Sequence, residues 1–174
     1  PSQQGKRTDI LTLKRKIASG KTFRELRDDI KSYQHLKFAE CWYRHFEPKR
    51  MCVAKPIIRW YWGPTGSGKT RAAIEEMPEC WMSSKDLRWW DGYDGHEHIL
   101  IDDFRESFCT FEYLLRVLDR YPMRVECKGS SRQLKATMII ITSSFHPSMV
   151  YGSKDDVKQL LRRIDVIKEF LVGL

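Results

Sequence analysis

Two hydrophobic rhythms divide the chain. Over residues 1–47, apolar positions recur at helical spacing. Thr8 and Asp9 can cap a segment that places Ile10, Leu13 and Ile17 on one face, and Gly20 is a natural stop. Thr22 with Glu25 makes a capping box ahead of Phe23, Leu26 and Ile30. A third stretch sets Leu36, Ala39, Tyr43 and Phe46 at the same period. Such a unit has a thin core and needs neighbours to be stable. Residues 48–56 read as a linker.

From 57 to 174, short apolar runs alternate with helical patterns. Strands are predicted at 57–62, 98–101, 137–142 and 164–170. A helix is predicted at about 68–77. A second, capped by Thr110, carries Phe111, Leu114, Leu115 and Leu118 and is stopped by Tyr121-Pro122. A third is capped by Ser153 and runs through Leu161. Residues 123–127 and 133–136 read as two arms around a Lys128-Gly129-Ser130-Ser131 turn. The alternation predicts an α/β fold with a mostly parallel sheet and helices on both faces.

Gly63-Pro64-Thr65-Gly66-Ser67-Gly68-Lys69-Thr70 fills the P-loop pattern at every fixed position, between a predicted strand and a predicted helix. The glycines let backbone N–H groups turn inward around a polyphosphate, and the helix offers its positive N-terminus. Lys69 can reach the β/γ-phosphates, and the Thr70 hydroxyl can hold Mg²⁺. The expected ligand is ATP or a similar nucleotide with Mg²⁺. Thirty residues on, Ile99-Leu100-Ile101-Asp102-Asp103 is an apolar strand ending in acid, which delivers carboxylates to the same sheet edge. Asp102 is assigned to the metal and Asp103 to water activation. The run Ile139-Ile140-Ile141-Thr142-Ser143-Ser144 ends another buried strand, where a hydroxyl can sense phosphate or position water.

Composition adds a direction. The 174 residues suit one domain plus a small appendage, and no apolar stretch approaches the roughly 20 residues of a membrane-spanning helix. Five dispersed cysteines argue against a disulfide framework and for a reducing compartment. The chain opens on Pro1 and is expected to be a fragment of a longer protein. Net charge is +8, but residues 1–59 hold 15 Lys/Arg against 6 Asp/Glu, while residues 60–174 hold 16 against 17. A basic excess that lies entirely before the P-loop points to a nucleic-acid partner, or to a solvated helical face.

Weaker signals keep two readings each. Lys128, Arg132 and Lys135 decorate the hairpin and could grip phosphates, or simply face solvent. Arg162-Arg163 could supply an arginine finger to a neighbour, or be an ordinary surface pair. Trp89-Trp90-Asp91-Gly92-Tyr93 could stack bases, but such residues more often pack under loops. His96-Glu97-His98 lacks further ligands at metal spacing, so no zinc is expected.

Taken in order, these motifs, with Asp119-Arg120-Tyr121-Pro122 and Leu161-Arg162-Arg163-Ile164, strongly resemble the ATPase/helicase part of replication-associated proteins from circoviruses and related small circular single-stranded DNA viruses. The resemblance implies a superfamily 3 helicase of the AAA+ class: a hexameric ring that binds ATP between subunits and moves on single-stranded DNA. It also implies rolling-circle replication in a host nucleus and no membrane association. Under it, Lys69 binds phosphate, Asp102 and Asp103 are the acidic pair, Arg163 is the finger, Lys128 is the pore-hairpin lysine, and 1–47 is an oligomerisation collar. Arg132 joins Lys128 as a candidate DNA contact. The family ends its sensor strand in Asn where this sequence has Ser144, which keeps one hydrogen bond and loses the amide's reach. The family's nicking endonuclease has no counterpart motif here. A viral RNA helicase, a packaging ATPase, and a nucleotide-gated DNA-binding module with little hydrolysis stay open as rivals.

Overall fold

A computed structural model describes residues 8–50, 54–152 and 156–171. The leader forms helix α1 (Thr8–Ala18), a 3-10 turn (Arg24–Asp29) and helix α2 (Tyr33–Phe46). Its small core is Leu13, Ile17, Leu26, Ala39 and Tyr43, with Phe23, Ile30, Phe38 and Trp42 packed against it. The capping box forms reciprocally: Thr22 N–H donates to Glu25 Oε2 at 2.7 Å and Glu25 N–H to Thr22 Oγ1 at 3.3 Å. It starts a tight 3-10 segment instead of a regular helix. Phe46, expected on the buried face, is 52% exposed. It stacks instead on Trp42, with ring centroids 4.3 Å apart, while at the other end of α2 buried His35 pairs with Asp9 of α1.

The main body is built on strands β1 (Ile57–Trp62), β2 (Trp81–Met82), β3 (His98–Ile101), β6 (Met138–Ser143) and β7 (Val166–Glu169). They lie in the order β2-β3-β6-β1-β7, and every neighbouring pair is parallel. Alternation across the sheet sends Tyr61, Leu100 and Ile140 to the face covered by α3 (Lys69–Glu76), through Ala73 and Met77. Ile58, Trp60, Ile99, Ile101, Ile139 and Ile141 face the opposite layer, which includes α4 (Phe111–Val117). Helices on both faces bury β3 and β6 along nearly all of their length, which explains their apolar runs. Glu76 holds α3 to β1, taking an ion pair from Arg59 at 2.7 Å and a hydrogen bond from Tyr61 at 2.5 Å.

Several boundaries differ from those expected. Strand β2 was not expected; two residues carry no period to read. The hairpin arms are β4 (Arg124–Cys127) and β5 (Ser130–Gln133), so the turn is Lys128-Gly129 alone, with Gly129 at φ +73°. Leu134 and Ala136, expected in the second arm, are buried in the main core instead. A short helix α5 (Pro147–Val150) precedes α6 (Val157–Leu161). Asp156 caps α6 by accepting from Lys158 N–H; Ser153, expected in that role, lies outside the described residues.

The leader is fastened to the main body. Glu47, with a fully buried side chain, accepts from Arg132 Nε at 3.1 Å and from Gln133 N–H at 2.8 Å. Arg50 donates to the Tyr121 carbonyl at 2.7 Å, so the stretch expected as a linker begins with a buried anchor.

Candidate functional site

The chain leaves β1 at Gly63, whose backbone admits no side chain. An added Cβ would lie 2.1 Å from the Phe170 carbonyl oxygen, just beyond β7. The loop then winds through Thr65, Gly66 and Ser67 to Gly68, which takes φ +87° and starts α3. The first turn of a helix has N–H groups without intrahelical partners, and here they face the cleft beyond the C-terminal ends of β1, β3 and β6. This cleft, of about 460 Å³, is lined by Thr65, Gly66, Lys69, Asp102, Asp103 and Ser144, among others. Loop, acidic pair and Ser144, well separated in sequence, therefore meet in one place.

Lys69 is buried, and its ammonium donates to the Gly63 and Pro64 carbonyls at 2.7 Å each and to Ser67 Oγ at 3.3 Å. Those bonds hold it under the loop. Thr70 Oγ1 donates to Asp102 Oδ1 at 2.7 Å, placing a hydroxyl and a carboxylate side by side. Two hard oxygen donors beside a phosphate-binding loop suit a Mg²⁺ ion that keeps most of its other positions for water and phosphate.

Thr142 orders the acidic pair, a role the sequence did not single out. Its hydroxyl donates to Asp102 Oδ1 at 2.7 Å and accepts from Asp103 N–H at 2.8 Å. Asp103 sits at φ +50°, the only non-glycine residue with positive φ among those described. That conformation costs about 1–2 kcal/mol for an L-residue, less for Asp, and the Thr142 hydrogen bond helps hold it. The Asp103 carboxylate meets Arg105 at 2.8 Å on the exposed side of the cleft. Asp102 N–H is taken by Ser83 Oγ at 3.1 Å. Ser83, Thr142 and Arg105 thus support the acids. Only a strand-end hydroxyl hinted at any of them in the sequence. Ser143 is fully buried and turned away, donating to the Phe104 carbonyl.

The remaining expected site residues lie elsewhere. Lys128 stands at the hairpin turn with its side chain 75% exposed, 3.1 Å from Asp91 Oδ2. Arg132 lines the same cleft as Lys128, but its guanidinium is already engaged. It is clamped between Glu47 and Asp94, lies 4.8 Å over the Tyr43 ring, and fastens the leader to the hairpin. Its guanidinium is committed to structure, which removes it as a free phosphate contact within one chain. Arg163 is also internally paired, donating to Asp119 Oδ2 and to the Gln159 carbonyl at 2.8 Å each. Burial pulls the Asp119 carboxyl upward, but the Arg120 N–H and the Arg163 guanidinium outweigh it and hold the group below its ordinary value. Neither Arg162, which is exposed, nor Arg163 lines the P-loop cleft of its own chain.

Known proteins resemble the chain over the same stretch. The replication-associated protein of Goose circovirus is 43% identical over 104 residues, which are 59% of this chain and 35% of that protein. Those of Porcine circovirus 2 and Human associated cyclovirus 1 are 42% and 34% identical, over 107 and 119 residues. The matched region spans 33–42% of these relatives' own length. A family model described as RNA helicase matches residues 59–145, half of the 174 residues, from within β1 through the acidic pair to just past Ser144. With a P-loop cleft on a parallel sheet and this match over half its length, the chain belongs to the RNA helicase family.

Proposed function

We propose that the chain is the ATP-driven motor of a viral replication initiator, hydrolysing ATP between subunits of a hexameric ring to move on single-stranded DNA in rolling-circle replication. The observation that carries this reading is the convergence of Lys69, Thr70, Asp102 and Asp103 on one cleft at the strand ends. Bound Mg·ATP supplies the phosphoanhydride bond and a divalent charge beside it. The loop from Gly63 to Thr70 binds and orients the phosphates, and Lys69 offsets charge that grows on them in the transition state. Thr70 and Asp102 orient the metal shell. Asp103 aligns a water and takes its proton at the carboxylate, while Ser144 offers one hydroxyl to the phosphate end. Arg163, with residues 1–47 as the collar, completes the site from a neighbouring subunit. A host nucleus is the proposed place of this activity, a reading that the likeness to circoviral proteins supports.

ATP turnover stimulated by single-stranded DNA tests the reading; absence of turnover would leave a DNA-binding assembly module. The RNA helicase description of the matching family favours one second reading, a motor on RNA. Strand separation compared on DNA and RNA duplexes decides between them.

The two acids should separate in kind. Asp102→Asn should weaken Mg²⁺-dependent nucleotide binding, whereas Asp103→Asn should keep binding and slow hydrolysis. Thr142→Val should disturb both, because its hydroxyl touches both residues. Titrations of nucleotide with and without Mg²⁺, beside single-turnover rates, check this. If both Asn variants lost only affinity, the division of labour would be wrong.

Lys128→Ala should lower affinity for single-stranded DNA and reduce the slope of log affinity against log salt by about 0.7, one phosphate contact. An unchanged slope would return Lys128 to a solvent-facing turn.

A further inference from the structure

Lys69 shares the nucleotide cleft with Arg105, whose side chain is 61% exposed. The main chain around Arg105 is fixed on both sides. Fully buried Phe104 donates its N–H to the Thr142 carbonyl at 2.7 Å, and its own carbonyl accepts from Ser143 Oγ at 2.8 Å. The Arg105 carbonyl accepts from Phe108 N–H at 3.0 Å as the 3-10 turn Glu106–Phe108 begins. The backbone is thus held at the cleft, and the side chain is the part left to move.

That side chain reaches back to Asp103, with Nη2 donating to Oδ2 at 2.8 Å. Both partners are more than half exposed, and an exposed pair of this kind shifts an equilibrium by about 5-fold at most. A terminal phosphate is a stronger partner. It carries more charge than a carboxylate, and the guanidinium fork meets its oxygens with two parallel hydrogen bonds. With the inner phosphates on the loop, the last phosphate of a nucleotide faces the acids at the end of β3, where Arg105 stands.

We propose that Arg105 reads the terminal phosphate of a bound nucleotide, exchanging Asp103 for it, and so lets the cleft tell a triphosphate from a diphosphate. The proposal rests on the nucleotide-binding reading above. A triphosphate gains a second cation, and the Asp103 carboxylate is released to meet its water. A diphosphate does not extend that far, so the Arg105–Asp103 pair stays closed and the carboxylate stays engaged. The backbone N–H groups of the loop cannot make this distinction, because they meet phosphates that both nucleotides carry. Arg105 therefore acts on specificity, separately from the loop that supplies most of the grip.

The test titrates fluorescent ADP and a fluorescent, non-hydrolysable ATP analogue, both with Mg²⁺. Arg105→Ala should weaken binding of the analogue by about 5- to 50-fold, the worth of charged hydrogen bonds less the tie to Asp103 that binding no longer has to break. Its affinity for ADP should be that of wild type. Arg105→Lys keeps the charge without the fork and should fall between the two on the analogue. Equal affinity of wild type and Arg105→Ala for the analogue would overturn the proposal and leave the nucleotide reading standing. An equal loss for both nucleotides would also overturn it, and would make Arg105 a brace for the turn at Asp103. No binding of either nucleotide by wild type would overturn both readings. An unchanged melting temperature without nucleotide is expected for Arg105→Ala, since an exposed pair adds little stability.

Discussion

Lys69→Ala should reduce ATP hydrolysis to background while leaving the fold intact. The reasons come from where the side chain sits. Its ammonium is held by two loop carbonyls and a serine hydroxyl, not by the hydrophobic core. The α3 residues that bury apolar surface against the sheet are Ala73 and its neighbours, which the substitution leaves in place. Alanine is also at least as good a helix former as lysine. The Gly63 and Pro64 carbonyls would lose a donor; Pro64 is exposed to water, and leaving the buried Gly63 carbonyl without this donor costs some stability but no core volume. What disappears is the positive charge that, on the proposed function, leaves the loop carbonyls for the bound phosphates. Loss of one well-placed neutral donor costs about 10²–10³ in rate, and a full charge should cost at least that. Steady-state turnover beside thermal melting checks both halves. Near-wild-type activity would sink the assignment of the loop.

Mixed rings should recover activity that neither parent has. Arg163→Ala subunits should still bind ATP at their own loops yet fail to complete a neighbour's site, for a loss of about 10³–10⁵ if the residue is a finger. Mixing them with Lys69→Ala subunits creates interfaces that join an intact loop to an intact Arg163. Hydrolysis should then partly return. The internal pairing of Arg163 with Asp119 sharpens the design. Arg163→Ala also strips a half-buried carboxylate of its partner, and a defect of that kind stays within the altered subunit and is not complemented. Asp119→Asn is the companion variant: it keeps the shape, weakens the internal tie, and should leave the finger able to act. No recovery in rings shown to have assembled would make Arg163 a structural residue of its own subunit. The same mixing with Arg162→Ala tests the exposed neighbour.

Much of this molecule was legible in its residues because some signals are local. Strand β3 falls where a continuous apolar run placed it, since a strand buried on both faces needs no polar alternation, and β1 falls where its run of Ile, Trp and Tyr around Arg59 placed it. The nucleotide loop was legible because its spacing is itself the mechanism: backbone turns, a lysine and a hydroxyl within eight residues. Thr22, Glu25, Thr110 and the acidic strand end are local in the same way.

What remained hidden depends on partners distant in the chain. Arg132 looked like a free cation, and only the fold brings Glu47 and Asp94 to it from 85 and 38 residues away. Thr142 gained its place because β6 inserts between β3 and β1, setting its hydroxyl against acids 40 and 39 residues earlier. Trp89 and Trp90 are the same residue type side by side; Trp90 is buried and Trp89 is 36% exposed, and burial is a property of the whole surface around a loop. Contiguous residues were enough to predict most of the strands and helices and the loop and acidic pair that meet at the cleft, whereas the two-residue β2 and the short α5 carried no such signal. Only the tertiary structure decided which charges are committed, which hydroxyl orders the acids and which indole reaches solvent, because each depends on groups that meet only when the sheet assembles.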